Sequence, residues 1–391
     1  MEKRNVPKLR FKGFEDEWKE YKFKDITIKT GNKNKDNKQY DVYSISNKYG
    51  FIPQNEQFED SRLKSLPKSD YRIVNKGEFA YNPARINVGS IGFWNEDKTV
   101  IVSSLYVCFK LINDMQPMFF MDYFNGYNFN KDVLRNVEGG VRDYLFYENF
   151  SNIKVKLPSI KEQEKIANFL SNVDKIIEEQ EGKVKDLELY KKGMMQKIFK
   201  QEIRFKDDNG QDYPEWEDKK IKEIFNITRG QVIAKTSISP IKIDRLIYPV
   251  YSSQTSNYGI LGYDSSYDFD GDFLTWTTDG ANAGKVFKRN GKFRCTNVCG
   301  LLVEKDITKG FANKCIKEIL EKETPKHVSY VGNPKLMNGI MGDIKINIPC
   351  LAEQTKIANF LSNIDKIIEE ENKKLEDLRQ WKKGLLQQMF V

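Results

Sequence analysis

Basic, amide and aromatic side chains gather in the turns of two separate parts of the chain, a combination that suits contact with nucleic acid. Arginine and lysine can hold phosphates or read guanine, and asparagine and glutamine can pair with adenine edges. The candidate DNA contacts in the first part are Asn32, Lys33, Lys35, Tyr43, Ser46, Lys48, Tyr81, Asn82, Arg85, Asn87, Arg142 and Tyr144. Those in the second part are Arg229, Gln231, Lys235, Ser253, Gln254, Trp276, Thr278, Asn282, Lys285, Asn333 and Lys335. Any one of them could equally be a solvated loop residue.

Residues for catalysis are scarce by comparison. The one histidine, His327, excludes a Ser–His or Cys–His site in both parts and any HExxH zinc site. Cys295 and Cys299 have metal-ligand spacing but no second Cys or His pair, so buried free cysteines are the favoured interpretation. The sequence therefore predicts neither a catalytic residue nor a metal or cofactor in this chain. A nuclease with an unrecognised carboxylate cluster and a structural adaptor that does not touch DNA stay open as alternatives.

A long internal repeat carries these candidate residues. Residues 157–199 align with residues 348–390 at a constant offset of 191, with 25 of 43 positions identical. A shorter motif also recurs, since Arg10-Phe11-Lys12 precedes Trp18 as Arg204-Phe205-Lys206 precedes Trp216. The whole chain is thus predicted to be two copies of one unit. The predicted segments are 1–156, 157–200, 201–347 and 348–391.

Each repeat has the heptad pattern of a long amphipathic helix. Such a helix of about 35 residues would be roughly 52 Å long. Ser159 and Glu162 form a capping box at the start of the first. Because the two apolar stripes are nearly identical, we predict that the helices pair with each other, and in antiparallel order. The predicted seam residues are Ile166, Leu170, Val173, Ile177, Val184, Leu187, Ile357, Leu361, Ile364, Ile368, Leu375 and Leu378.

Polar residues interrupt the two seams at matching positions, Gln180 with Glu371 and Lys191 with Lys382. They are either positions where a partner helix docks or ordinary surface polarity. The globular segments read as short strands between Gly, Asn and Asp turns, with residues 100–109 as one apolar run among them. Short helices are predicted near residues 117–124, 131–137 and 311–321. The predicted fold is α+β: two pseudo-twofold-related, strand-rich domains joined by two long helices packed as an antiparallel coiled coil.

Charge and composition bound the environment of the protein. The net charge is +8, and the surplus lies in the globular segments, with 26 Lys+Arg against 21 Asp+Glu in residues 1–156 and 23 against 20 in residues 200–347. That distribution suits a polyanionic partner held by the globular segments. The charged start of the chain, the absence of a long apolar run and five scattered cysteines predict a cytoplasmic protein with no membrane contact.

The repeated motifs resemble those of the specificity subunit of type I restriction–modification systems. The resemblance rests on Leu157–Ile166 and Ile348–Ile357, each with a Pro-x-x-x-Glu-Gln motif, and on Lys191–Gln196 with Lys382–Gln387. The loop Gly140-Val141-Arg142 before the first helix also fits, whereas the second copy has Val331-Gly332-Asn333 there. The order of target-recognition domain, helix, target-recognition domain, helix covers essentially the whole chain.

The resemblance implies a non-catalytic subunit. Each recognition domain would read one half of a bipartite, asymmetric site on double-stranded DNA, and the helices would set the half-site spacing. Two methylating subunits would dock on the helices, bring S-adenosylmethionine and methylate adenine. Two ATP-dependent, Mg-requiring motor subunits can then join and cut unmodified DNA.

Overall fold

A computed structural model describes residues 5–54, 68–112, 115–137 and 144–391. The chain forms two compact units. Unit 1 comprises Met1–Gly182 with Asn372–Val391, and unit 2 comprises Lys183–Glu371. Each long helix contributes one part to each unit.

The elements follow in chain order. The first globular segment contains β1 (Lys19–Lys22), α1 (Phe23–Ile26), β2 (Thr27–Thr30), β3 (Asp41–Ser46), β4 (Gly50–Pro53), β5 (Arg72–Val74), β6 (Glu78–Tyr81), β7 (Ile91–Trp94), β8 (Val100–Val102), β9 (Val107–Leu111), α2 (Pro117–Phe124), α3 (Tyr127–Asn136), α4 (Tyr147–Asn152) and β10 (Lys154–Leu157), and then comes α5 (Ile160–Phe199). The second contains β11 (Glu217–Lys220), α6 (Ile221–Ile224), β12 (Phe225–Arg229), β13 (Tyr248–Tyr251), β14 (Ile260–Asp264), β15 (Phe269–Thr277), β16 (Val286–Cys295), β17 (Cys299–Glu304), α7 (Lys314–Glu323), α8 (Asn338–Asp343) and β18 (Lys345–Ile348), followed by α9 (Leu351–Met389).

Unit 1 is built on two four-stranded sheets, with strand orders β2-β9-β6-β7 and β4-β3-β8-β5. The pairing of β3 with β8 is parallel, and the first strand, β1, pairs with the last, β10. Its largest core cluster is rich in aromatic rings; Phe23 stacks on Phe150 at a centroid distance of 4.6 Å. The same cluster includes Leu385 and Met389 of α9, so the helix is part of the domain core.

Unit 2 repeats this plan with one six-stranded sheet, in the order β12-β17-β15-β16-β13-β14. The pairing of β13 with β16 is parallel, and β11 pairs with β18 as β1 does with β10. Its core joins Trp276, Leu320 and Ile346 to Ile357 and Leu361 of α9. Both units therefore close an α+β core over the long helices.

The long helices run antiparallel within each unit. In unit 1 the first half of α5 packs on the end of α9, and Lys382 donates to Asp174 at 2.5 Å. In unit 2 the second half of α5 meets the first half of α9, and Lys191 pairs with Asp365 at 2.6 Å. The two pairs are equivalent under the 191-residue offset. All twelve predicted seam residues are buried or half-buried.

The two helices exceed the predicted length, with 40 residues in α5 and 39 in α9. The predicted mixed fold with paired long helices is confirmed. Some local predictions need revision. Residues 100–109 form two strands separated by a turn, because Tyr106 N–H bonds to the Ser103 carbonyl. The main-chain N–H of Glu162 bonds to Ser159 Oγ at 3.4 Å as a capping box requires, but the Glu162 carboxylate pairs with Arg10 instead.

Candidate nucleic-acid interface

In unit 2, several of the predicted contacts form one polar cluster at the end of β15. The Thr278 N–H donates to Ser253 Oγ at 3.2 Å, and Asn282 Nδ2 donates to Thr255 Oγ1 at 3.1 Å. The backbones of Asp279 and Lys335 form an isolated antiparallel β-bridge. Gln254 Nε2 donates to the Ile260 carbonyl. The structure thus brings the loop 252–259, the glycine loop 278–284 and the segment 329–336 together.

Unit 1 has the same arrangement at the end of β6. Ser90 Oγ donates to the Ile45 carbonyl at 2.9 Å, which ties the glycine loop 82–90 to the hairpin formed by β3 and β4. The Leu145 N–H donates to the Pro83 carbonyl at 3.0 Å and so brings Tyr144 to the same place. Arg85, Asn87 and Lys48 are exposed there.

Two predicted contacts, Tyr81 and Trp276, need correction because neither side chain has any exposed surface. The Tyr81 hydroxyl donates to the Leu145 carbonyl and Trp276 Nε1 to the Leu336 carbonyl, both at 3.0 Å. Leu145 and Leu336 are equivalent under the 191-residue offset. These aromatic residues therefore support the clusters from beneath instead of contacting a ligand.

The remaining predicted residues are placed less centrally. Lys33 pairs with Asp70, Arg229 donates to Asn338, and Lys285 pairs with Glu321 of α7. Tyr43 is buried, and its hydroxyl accepts from Lys98 Nζ. Of the predicted residues not yet mentioned, Asn32, Lys35, Gln231 and Asn333 are exposed, while Ser46 and Asn82 are half-buried. Arg142, with Gly140 and Val141, and the side chain of Lys235 lie outside the described residues.

Three exposed tyrosines in the clusters were not predicted from the sequence: Tyr49 in unit 1, and Tyr258 and Tyr330 in unit 2. A signal was present: Val42-Tyr43-Ser44 precedes Tyr49-Gly50 much as Val250-Tyr251-Ser252 precedes Tyr258-Gly259. The echo has an offset of 208 in its first part and 209 in its second, so a search at the single offset of 191 does not find it.

The repeated Glu-Gln motif closes each unit at the start of its long helix. Glu162 binds Arg10 through Nε and Nη2, each at 2.8 Å, and Glu353 binds Arg204 Nη2 at 2.8 Å. Both glutamates are almost fully buried. Hydrogen bonding to the glutamate raises the pKa of each arginine above its usual value. The pairs anchor the N-terminal arm of each unit to its long helix.

The neighbouring glutamines complete the closure. Gln163 Nε2 donates to the Pro158 carbonyl at 3.2 Å, and Gln354 Nε2 donates to the Pro349 carbonyl at 2.8 Å. The side-chain amide oxygen of each glutamine accepts a hydrogen bond from the residue just before a shorter helix. The donor is the Gln116 N–H before α2 in unit 1 and Asn313 Nδ2 before α7 in unit 2. The motif is therefore structural in both copies.

A groove lies beside the long helices in each unit. That of unit 1 has a volume of about 270 Å³ and includes Leu386, Gln387 and Phe390. That of unit 2 has about 540 Å³ and is lined by the equivalent residues of the other repeat, Met195, Gln196 and Phe199. The grooves share these three repeat-equivalent positions and differ in the rest of their linings, which include Tyr123 and Tyr127 in unit 1 and charged residues such as Lys317 and Glu321 in unit 2.

Cys295 and Cys299 are buried free cysteines that form no disulfide. They end β16 and begin β17, so they lie on two strands joined by a turn rather than on one strand. No group of three or more His, Cys, Asp or Glu that could hold a metal occurs among the described residues. Within the same residues, none of the helices is long and apolar enough to span a bilayer.

A duplicated strand-rich unit with a polar loop cluster, mounted on paired helices, is the architecture of a modular recognition protein. The family model for the type I restriction modification DNA specificity domain matches residues 15–189 and again residues 213–380. A putative type I specificity subunit of Mycoplasma pneumoniae is 34% identical over 229 residues, which are 57% of this chain and 79% of the relative.

Solved structures show the same fold. The S subunit of a type I restriction–modification system from M. genitalium aligns over 99% of both chains with a TM-score of 0.59 and 14% identity. A chain from a study of complex assembly in the type I system aligns over 95% of this chain and 97% of its own, with a TM-score of 0.63 and 15% identity. The chain belongs to the family of type I restriction–modification DNA specificity subunits, and its function is DNA sequence recognition.

Proposed function

We propose that each unit reads one half of a bipartite, asymmetric DNA site through its polar loop cluster. The observation that carries this proposal is the repetition of one cluster on one scaffold with different side chains around a shared asparagine (Asn87 and Asn282), for example Arg85 in unit 1 against Gln254 and Lys335 in unit 2. Different hydrogen-bonding groups on the same support read different base edges. The two half-sites are therefore expected to differ in sequence.

The long helices are proposed to set the separation of the half-sites. A 40-residue helix is about 60 Å long. Since α5 and α9 both continue from one unit into the other and are locked by paired charges, they would act as a rigid spacer. The number of unread base pairs would then depend on helix length and not on the loops.

Two methylating subunits are proposed to dock at the two grooves. Because both grooves include the same three positions of the repeated helix, two copies of a single partner are expected to dock through that shared helix surface. In the complex, this subunit would be non-catalytic. The partners would supply S-adenosylmethionine, adenine methylation and, where motor subunits join, ATP- and Mg-dependent cleavage in the cytoplasm.

The test is to map methylated adenines genome-wide in cells with and without this chain. A bipartite motif should appear only with the chain present. Replacing residues 1–156 by the corresponding segment of another specificity subunit should change one half of the motif and leave the other half and the spacing unchanged. A change in both halves, or no motif, would contradict the proposal.

Docking is tested separately by native mass spectrometry of the mixture with the methylating subunit. Gln387→Arg in the unit 1 groove, or Gln196→Arg in the unit 2 groove, should each leave one bound partner, and the double variant should leave none. Lys76→Arg, on the loop before β6, serves as a surface control. Two partners bound to the double variant would show that docking lies elsewhere.

A further inference from the structure

Each unit presents one tyrosine at a hairpin tip with its ring in solvent. The side chain of Tyr49 is 69% exposed and that of Tyr258 is 79% exposed. Both residues precede a glycine with positive φ, 62° at Gly50 and 82° at Gly259. The two hairpins are equivalent. Each is an antiparallel pair, β3 with β4 in unit 1 and β13 with β14 in unit 2. In each, the first strand also pairs in parallel with another strand, β3 with β8 and β13 with β16.

The backbone at Tyr258 is held in an unfavourable conformation. Asn257 and Tyr258 both have left-handed φ values, 47° and 51°. Residues other than glycine rarely adopt this region of backbone conformation. Such a conformation persists only where neighbouring structure imposes it. Here the neighbour is Arg289, whose Nη1 donates to the Tyr258 carbonyl at 2.7 Å.

Arg289 is itself buried, with 5% of its surface exposed. Its guanidinium lies 3.7 Å from the ring centroid of Tyr251 and 4.4 Å from that of Phe287. Its Nε donates to Thr275 Oγ1 at 3.0 Å. A buried arginine is thus positioned from three sides to hold the tip that carries Tyr258.

Both tyrosines lie within the polar loop clusters. In unit 2 the loop of Tyr258 also carries Gln254 and is linked to Asn282 through Thr255. In unit 1 the ammonium of Lys48 is 5.0 Å from the centroid of the Tyr49 ring. An exposed aromatic ring contributes little to folding, so its presence on both tips, in loops that otherwise differ, indicates a ligand contact.

We propose that Tyr49 and Tyr258 are DNA-contact residues, one for each half-site, whose rings pack against deoxyribose faces of the DNA backbone. The inference rests on the proposed function of the clusters. Every nucleotide of the duplex has a deoxyribose, so a ring packed on it can strengthen binding without selecting sequence. That property explains why one residue type serves two units whose other loop side chains differ: it supplies affinity, and the neighbouring polar residues supply specificity.

The experiment measures binding of a fluorescent duplex, carrying the mapped methylation motif, to the full chain assembled with its methylating subunit. Tyr258→Gly suits the left-handed backbone and removes the whole side chain; Tyr49→Ala is its counterpart in unit 1. Burial of part of an aromatic ring against the DNA predicts that each raises the Kd about 5- to 30-fold. Tyr49→Phe and Tyr258→Phe, which keep the ring, should bind as the unchanged protein does. Tyr267→Ala, at an exposed tyrosine before β15, is the surface control.

The mapped motif should stay the same in the Gly and Ala variants. Unchanged Kd values for both, in a complex that binds its motif, would overturn the inference while leaving the proposed function intact. A changed motif would also overturn it, since the ring would then be reading sequence. Failure of the unaltered complex to bind any motif would instead contradict the proposed function.

Discussion

The hydroxyl of Tyr81 donates a hydrogen bond of 3.0 Å to the carbonyl of Leu145, which lies 64 residues further along the chain. The bond ties the end of the central strand β6 to the segment that leads into the long helix. Trp276 makes the equivalent bond to Leu336 in unit 2. Each polar loop cluster thus packs over a buried aromatic residue, and that residue is hydrogen-bonded to the segment that leads into the long helix.

Removal of the Tyr81 hydroxyl should destabilise unit 1. Tyr81→Phe leaves the Leu145 carbonyl without its donor in a buried site, which we expect to cost about 1 to 2 kcal/mol in the free energy of unfolding. Urea denaturation measures the change, and Tyr49→Phe, at an exposed ring, is the matched control. Equal unfolding free energies for the two variants would mean that water replaces the lost donor.

The two Glu–Arg closures should differ in strength. Glu353 also accepts a hydrogen bond from Trp216 Nε1 at 3.0 Å, whereas Trp18 Nε1 in unit 1 has no hydrogen-bond partner among the described residues. We expect Glu353→Ala to cost about 3 to 5 kcal/mol and Glu162→Ala about 1 kcal/mol less, because loss of the Glu353 carboxylate leaves the Trp216 N–H unpaired in addition to the arginine. Urea denaturation followed by tryptophan fluorescence would compare them. An equal or larger loss for Glu162→Ala would contradict the assignment.

Asp122 should make stability depend on pH near neutrality. Burial raises the pKa of its carboxyl from 3.8 to about 7, although Lys382 lies 3.8 Å away. Since the folded state retains the proton that the unfolded state loses, the free energy of unfolding should fall as pH rises from about 4 to about 7. The side chain of the Asp122→Asn variant cannot ionise. Its free energy of unfolding should therefore exceed that of the unchanged protein by an amount that grows across this pH range, up to about 4 kcal/mol at about 1.4 kcal/mol per pH unit.

The measurement is a series of denaturant titrations between pH 5 and pH 8. Asp97→Asn, at an exposed carboxylate paired with Lys76, provides the control and should show no such trend. A constant difference between Asp122→Asn and the unchanged protein would show that Asp122 is ionised throughout.

Glycine substitutions should separate packing from helix propensity. A Cβ on Gly300 would meet the Trp276 ring at 2.3 Å, so Gly300→Ala should destabilise unit 2 by about 3 kcal/mol or more. A Cβ on Gly182, inside α5, would meet nothing within 4 Å. Gly182→Ala should therefore raise stability by about 0.5 to 1 kcal/mol. Thermal unfolding would show shifts of opposite sign, and an unchanged or raised Tm for Gly300→Ala would contradict the packing at Gly300.

The amino-acid sequence by itself determined the duplication, the two long helices and the strand-rich character of the domains. These features depend on local pattern: the apolar period of 3.5 residues over residues 166–198 and the runs between Gly and Asn turns are visible without any knowledge of packing. The same periodicity favoured mutual pairing, and the paired charges Asp174–Lys382 and Lys191–Asp365 confirm it within each unit.

Tertiary structure alone decided which polar and aromatic residues serve the fold. Tyr81 and Trp276 are aromatic residues next to polar loop residues in the sequence, a combination that predicted DNA contact. Packing against segments 60 or more residues away in the chain buries both side chains. The Glu162 carboxylate looks like part of a capping box and instead binds Arg10, and Glu353 binds Arg204 in the same way, each arginine lying about 150 residues earlier in the chain. Burial and partner choice depend on long-range contacts, which residue spacing along the chain does not encode. For the same reason the exposed rings of Tyr49 and Tyr258 became apparent only once their hairpins were in place.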